Sequence, residues 1–251
     1  MPTDVLLIDA FNLIRRIYEA RHGGGQHIDE VIGASGKSVA RALAIHHPSH
    51  ACVVFDSHDT TWRHLLYPDY KKNRKPTPPA LLENLPAFRE AFLAEGVKSL
   101  KLESYEADDA IATLAHGVAE NGGLAIVLST DKMFSQLLSD GVRIFNHFED
   151  HEVTPADVEA RFEVKIRQLT DFWSMAGDAG NNIKGVPKVG AKTAAGLLNR
   201  YDSLEEILST EDDDPAANRV RQYGDTVQRC KQLVTLKTDV ELGINLKSLR
   251  L

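Results

Sequence analysis

The sequence predicts an α/β fold, a largely parallel central sheet flanked by helices, with a helical part at the C-terminal end. Two observations carry this. Short apolar runs alternate with amphipathic stretches as far as residue 152, and from about residue 153 only helical patterns remain. Strand-helix alternation is what parallel strands joined by crossover helices require.

The runs VLLIDA (5–10), ACVVFD (51–56), VKSLKL (97–102), LAIVLST (124–130) and VRIF (142–145) read as strands. Their near-continuous apolar character suits a sheet covered on both faces. Helical spacing occupies 12–21, 29–46, 80–95, 106–120 and 132–139. HGGG (22–25) reads as a loop and ENGG (120–123) as a helix stop. Further on, TPADVEARF, KIRQLTDFWSMAG, AKTAAGLLNRY and SLEEILST read as short helices, and DDDP (212–215) as a solvated turn before a final helix. The expected division is an α/β core over 1–152 and a helical part over 153–251.

Of the 251 residues, 43% are hydrophobic, enough for a sizeable core, and no apolar run approaches the roughly 18 residues of a membrane span. MPTDVLLIDA has neither a basic start nor a small-residue cleavage site, so no signal peptide is expected. Cys52 lies in an apolar strand far from Cys230, which reads as a buried thiol in a reducing, cytoplasmic setting. The net charge of −7 argues at first against a nucleic-acid partner. Its distribution matters more than its sum. Arg63 to Lys75 holds five cationic residues and one acid, and Arg161 to Arg200 holds seven cationic residues and three acids.

Asp9, Asp56 and Asp131 each end or directly follow an apolar strand. In a parallel sheet the strand C-termini share one edge, where ligands bind. YEADDA, opening a helix after VKSLKL, adds Glu106, Asp108 and Asp109. One acid in a first helical turn is accounted for by the helix dipole, at ~0.3–1 kcal/mol. Six carboxylates on one edge repel unless a cation neutralises them. Oxygen donors without His or Cys point to Mg²⁺ or Mn²⁺ rather than zinc. A haloacid-type phosphatase needs Asp-x-Asp after its first strand, but Asp9-Ala10-Phe11 lacks the second acid. DAFNL is no Gly-rich turn either, so no nucleotide cofactor is expected.

WRHLLYPDYKKNRKP (62–76) mixes aromatic and cationic side chains, as nucleic-acid contact surfaces do. GVPKVGAKTAAGLL (185–198) places glycine-bearing turns before a helix starting at Ala191, a helix-hairpin-helix pattern over about 170–200. Its glycines let the backbone approach a phosphate, and the helix N-terminus offers N–H groups to it. The DNA-binding residues expected are Lys188, Val189, Gly190, Ala191, Lys192 and Thr193. Contacts of this kind follow DNA shape rather than base sequence.

Together LLIDAFNL (6–13), VVFD (53–56), YPDYKKNR (67–74), YEADDAIATLA (105–115), LSTDK (128–132) and GDAGNNIKGVPKVGAKTA (177–194) resemble the 5′-nuclease, or flap endonuclease, family, whose core is PIN-like. The resemblance runs over nearly the whole chain and is greatest to the stand-alone bacterial Xni (exonuclease IX-like) type. It implies a Mg²⁺-dependent cut near the junction of a 5′ flap, in Okazaki fragment processing or repair. Asp9, Asp56, Glu106, Asp108 and Asp109 match the family's first metal site, and Asp131 and Asp178 match two ligands of the second. Tyr70, Lys71 and Arg74 match a basic arch motif, the arch segment running over about 57–80. The main-chain carbonyls of Met175, Ala176, Lys184, Val186 and Val189 match positions that hold K⁺. Two departures weaken the second metal site: Met133 and Asn181 stand where the family has acids. The partner implied is branched DNA with a 5′ flap, bound by a monomer, with no membrane. The rival readings are a non-catalytic branched-DNA-binding protein on a degenerate nuclease scaffold, and a ribonuclease of a related acidic-cluster fold.

Overall fold

The computed structural model describes residues 3–21, 27–57 and 60–251, and the HGGG loop expected at 22–25 lies outside them. Six strands form one sheet: β1 (Asp4–Asp9), β2 (His50–Phe55), β3 (Lys98–Lys101), β4 (Leu124–Leu128), β5 (Val142–Asn146) and β6 (His151–Val153). Their order is β3-β2-β1-β4-β5-β6. The pairings from β3 across to β5 are all parallel, as expected. Successive side chains of a strand point to opposite faces. Val5, Leu6, Leu7 and Ile8 are nonetheless all fully buried, so both faces of β1 are covered.

The connections carry α1 (Ala10–Ala20), α2 (Ile28–His46), α3 (Trp62–Leu66), α4 (Pro79–Glu83), α5 (Leu85–Ala94) and α6 (Ala107–Glu120). Leu6, Ile8, Val53 and Phe55 share one core with Ile14 of α1, Val39 of α2, and Phe88 and Phe92 of α5. α6 packs on β1 and β4. Strands follow one another outward in both directions from β1, so the order reverses between β1 and β4. At such a switch point the crossovers diverge and a crevice opens at the strand C-termini.

The chain forms two compact units. The sheet unit comprises Met1–Thr61, Pro76–Glu152 and Lys237–Leu251, and the helical unit comprises Trp62–Lys75 and Val153–Leu236. Residues 62–75, expected with the core, thus cluster with the helical part, and 237–251 return to the sheet unit. There Lys98 Nζ donates to Ser248 O (2.6 Å) and Leu251 N to Ser49 O (3.3 Å).

The helical unit continues with α7 (Pro155–Phe162), α8 (Leu169–Ala176), the short strands β7 (Gly177–Asp178) and β8 (Ile183–Lys184), α9 (Ala191–Tyr201), α10 (Leu204–Ser209), α11 (Pro215–Gln222) and α12 (Gly224–Val234). α8 packs on α9 and α12 around Trp173, which is buried. Helix starts follow capping chemistry. Thr154 and Asp157 form a capping box with Pro155 in the first turn of α7. Asp214 accepts from Ala216 N and Ala217 N before Pro215, so the DDDP turn is the cap of α11.

Several expected boundaries shift. The helix read over 80–95 is two, α4 and α5, because Pro86 sits in the first turn of α5 and cannot donate to a continuing helix. The stretch 132–139 is a 3-10 turn over Lys132–Leu137. The single final helix is two, with Gly224 opening the second. No helix among the described residues is long and apolar enough to cross a membrane.

Candidate active site

β1 ends at Asp9, and Asp9 caps α1. Its Oδ1 accepts from Asn12 N (3.1 Å) and its Oδ2 from Ser129 Oγ (3.0 Å). Only 7% of Asp9 is exposed. Burial above all, then the charge of Asp56 and that of Asp131, pushes its carboxyl from 3.8 up to about 7. The two hydrogen bonds pull the other way and are outweighed. That repulsion places the ends of β2, β1 and β4, three neighbouring strands, around one another's charge.

The other acids are held by their own local chemistry. Asp56 Oδ1 accepts from Ala107 N (2.8 Å), so the acid that follows β2 caps α6 in place of Glu106, whose side chain makes no capping bond. Glu106 is buried and Asp108 half-buried in the first turn. Asp109 is fully buried, and its Oδ1 accepts from Lys237 N (3.0 Å) in the returning segment. Asp131 Oδ1 accepts from Met133 N (2.8 Å), starting the 3-10 turn. Among the described residues no three His, Cys, Asp or Glu side chains gather tightly enough to hold an ion. The strand ends bring the carboxylates near one another without closing them on a point, as bare like charges dictate.

A polar clamp not singled out in the sequence ties β1 to β4 across the switch point. Asn12 Nδ2 donates to Thr130 Oγ1 (2.9 Å), and Thr130 N donates to Asn12 Oδ1 (3.1 Å). Asp131 N donates to Ser129 Oγ (3.1 Å), the hydroxyl that serves Asp9. Arg16 Nη1 also donates to Thr130 Oγ1 (3.0 Å). The available signal was two polar side chains, Ser129 and Thr130, following an apolar strand just before an acid.

Met133, where the resemblance implies an acid, is 4% exposed. An aspartate there would enter the core rather than the crevice. Asn181, the other position where the resemblance implies an acid, does structural work in the helical unit. Its Nδ2 donates to Asp178 Oδ2 (2.6 Å) and its Oδ1 accepts from Arg74 Nη2 (2.7 Å). The 69–74 segment is strapped to this turn. Lys71 N donates to Asn181 O (2.9 Å), Asn73 Nδ2 to Ala179 O (2.8 Å) and Arg74 Nε to Gly180 O (3.1 Å). Lys71 has a left-handed backbone (φ 55°), and its Nζ lies 5.2 Å from the centroid of the Tyr70 ring. Tyr70 itself is buried against His64.

Arg63, counted above with the basic surface, is 1% exposed. Its Nε donates to Leu233 O (2.9 Å) and its Nη2 to Thr235 O (3.4 Å), carbonyls at the end of α12. The first cation of the aromatic-basic stretch is therefore a structural cap, and the exposed ones are Lys72, Arg74 and Lys75.

Between α8 and α9, β7 and β8 pair antiparallel, Gly177 opposite Lys184. The ladder is so close to the end of α8 that a Cβ on Gly185 would lie 2.2 Å from Met175 O. Val186 N donates to Met175 O (2.8 Å) and Val189 N to Val186 O (3.0 Å). Cys230 Sγ donates to Lys184 O (3.3 Å). The Met175, Ala176, Lys184, Val186 and Val189 main chain is thus gathered in one turn, with three of its carbonyls already accepting. α9 starts at Ala191, as expected, behind an exposed Gly190 whose lack of a side chain leaves the first-turn N–H groups uncapped. Lys188 and Lys192 are exposed beside them.

Comparison with known proteins places this arrangement. Residues 4–163 match the family described as 5′-3′ exonuclease, N-terminal resolvase-like domain, and residues 164–251 match 5′-3′ exonuclease, C-terminal SAM fold. Flap endonuclease Xni of Psychromonas ingrahamii is 40% identical over 258 residues, covering 100% of this chain and 98% of its own. A bacteriophage T5 protein co-crystallised with metal ions has the same fold, with a TM-score of 0.78 at 19% identity over 92% of this chain and 88% of that one. So has the T5 flap endonuclease in a pseudo-enzyme-product complex with DNA and metal ions, with a TM-score of 0.75 at 18% identity over 92% and 88%. With both halves of the chain matched in order, it belongs to the 5′-3′ exonuclease family.

Proposed function

We propose that the chain is a 5′ flap endonuclease that hydrolyses DNA phosphodiester bonds near the junction of a single-stranded 5′ flap, with Mg²⁺ as cofactor and Mn²⁺ able to substitute. The observation that carries this is the acid edge, where Asp9 is raised to about 7 by burial and by Asp56 and Asp131. The donors fit a hard divalent cation, being oxygen only, and a cation relieves the repulsion that lifts Asp9. Asp9, Asp56, Glu106, Asp108 and Asp109 are the residues that would hold it. The chemistry such an ion would supply there is polarisation of the scissile phosphate and a lowered pKa of bound water.

The chain's own groups orient and dock. Asn12 N and Ser129 Oγ fix both oxygens of Asp9, and Ala107 N fixes one oxygen of Asp56. On the helical unit Lys71 and Arg74 offer positive charge to substrate phosphate. The turn between α8 and α9 is read as a helix-hairpin-helix, where the carbonyls of Met175, Ala176, Lys184, Val186 and Val189 would hold K⁺. The uncapped N–H groups at Gly190 to Thr193, with Lys188 and Lys192, would bind the DNA backbone. The reading extends to a cytoplasmic monomer acting in replication or repair.

A 5′-flap cleavage assay with and without Mg²⁺ tests the proposal, with an RNA flap alongside to separate the ribonuclease reading. Incision near the junction of DNA flaps, only with a divalent cation, is the expected result. Asp108→Asn should lose cleavage by at least about a hundredfold while still binding flap DNA in Ca²⁺, because the docking hairpin is untouched. Binding without cleavage by the unmodified protein at every Mg²⁺ concentration would favour the degenerate-scaffold reading.

Asn181→Asp bears on the weakened second site. It sets a carboxylate beside Asp178 with Arg74 in place to hold it. Half-maximal cleavage should then need severalfold less Mg²⁺. An unchanged or higher requirement would mean that charge at this turn has no part in cation binding.

A further inference from the structure

The sheet unit carries a recess of about 350 Å³ on the α1–α2 side that the acid edge does not use. Ala20 of α1 and Ala34 of α2 are small side chains in its lining. Arg21 lies one position past Ala20, and Lys37 and Arg41 follow Ala34 at helical spacing, i+3 and i+7, so all three cations line the recess. Ser38 and His147 line it too, joined by a hydrogen bond between Oγ and Nε2 (2.7 Å). His147 is 4% exposed, and its Nδ1 is buried without a hydrogen-bond partner. A buried polar atom left so is uncommon in a finished interior. Phe148, 39% exposed, forms one rim, with the Arg16 guanidinium 4.9 Å over its ring.

Three cations, a hydroxyl and an exposed aromatic ring around one concavity suit a phosphodiester with its base. Two of the cations have carboxylate neighbours, Arg21 with Glu30 (2.8 Å) and Arg41 with Asp150 (3.4 Å). All four of those side chains are about half exposed, and exposed pairs contribute little, so a phosphate can replace either acid. Lys37 is exposed and has no ion pair among the described residues. Arg16 links the recess to the acid edge, since the guanidinium on Phe148 also donates to Thr130 Oγ1, beside Asp131.

We propose that this recess is a phosphate-binding site for the nucleic-acid backbone, additional to the hairpin and to the acid edge. The inference rests on the nuclease reading, and it assigns Arg21, Lys37 and Arg41 to holding the strand rather than to the chemistry. The test is the double variant Lys37→Ala/Arg41→Gln in the full chain, with Arg143→Gln, an exposed cation outside the recess, as control. Binding to a flap substrate in Ca²⁺ is measured across a salt series, and cleavage at saturating DNA in Mg²⁺. The double variant should bind roughly tenfold more weakly at low salt, and its log–log salt slope should fall by about two, one per lost phosphate contact. Cleavage at saturating DNA and the thermal midpoint should match the unmodified protein, as should binding by the control. Affinity and slope equal to those of the unmodified protein, with cleavage intact, would overturn the recess and leave the nuclease reading standing. An unmodified protein that neither binds nor cuts the substrate would overturn both. A loss shared equally by the Arg143→Gln control would reduce the effect to general surface charge and overturn the site.

Discussion

Asp9→Asn is expected to stabilise the metal-free protein at pH 8 by about 2–4 kcal/mol while abolishing cleavage. Burial and the charges of Asp56 and Asp131 raise the Asp9 carboxyl from 3.8 to about 7. The folded state therefore holds this proton more tightly than the unfolded chain does. The stability it contributes is full below about pH 4 and is lost as the pH rises through about 7. Above that pH the folded protein carries a buried charge beside two others. A displacement of this size corresponds to about 4 kcal/mol at pH values above both ends. Asparagine removes the charge but offers Ser129 an amide where an acceptor stood, which trims the gain. Urea unfolding in EDTA at pH 5 and pH 8 checks this. The unmodified protein should weaken between the two as far as this group is concerned, the variant should not, and Mg²⁺ should restore the unmodified protein at pH 8. A variant less stable than its parent at pH 8 without metal would show that the acids do not strain the fold.

Arg63→Ala should cost the helical unit about 2–3 kcal/mol, the range for removing a charged donor and leaving its buried acceptors unpaired. The guanidinium satisfies carbonyls of Leu233 and Thr235 at the end of α12 and lies 4.4 Å over the ring of Trp62. A cation at a helix C-terminus also meets the negative end of the dipole. Deleting it leaves buried carbonyls unpaired around a cavity. Arg63→Lys should recover little, because one ammonium cannot span the two acceptors or stack in the same way. Lys72→Ala, nine residues along the same basic stretch, removes only an exposed pair with Asp69 and should shift stability by about 0.5 kcal/mol or less. Equal, small losses at 63 and 72 by urea unfolding would return Arg63 to the surface charge that the sequence suggests.

These two positions mark where sequence reasoning holds and where it stops. Asp9, Asp56 and Asp131 were legible because an apolar strand ending in an acid is a local pattern, and parallel order then sends all three to one edge. The start of α9 at Ala191 was legible from the glycines before it. Arg63 was not, because a cation among Lys71, Lys72 and Arg74 reads as solvated. Its partners lie 170 and 172 residues away in the chain. Met133 was not legible as a core side chain, since the 3-10 turn that points it inward is started by Asp131 itself. β6 is three residues, HEV, too short and polar to show alternation. The recess on the α1–α2 side is lined from both helices and from His147 and Phe148, a combination that no single stretch of sequence reveals.

The return of residues 237–251 to the sheet unit has a topological result. Lys237 is pinned there by Asp109, and Thr113 Oγ1 donates to Lys237 O (3.2 Å). The stretch from Val153 to Leu236 is therefore tethered at both ends, and if it unfolds it becomes a closed loop rather than a loose tail. The entropy of closing such a loop grows only with the logarithm of its length. A single proteolytic nick inside it would leave two polypeptides that stay associated, because each contributes to the same sheet unit. Such a nicked protein should run as one species in native sizing and fall into two only under denaturant.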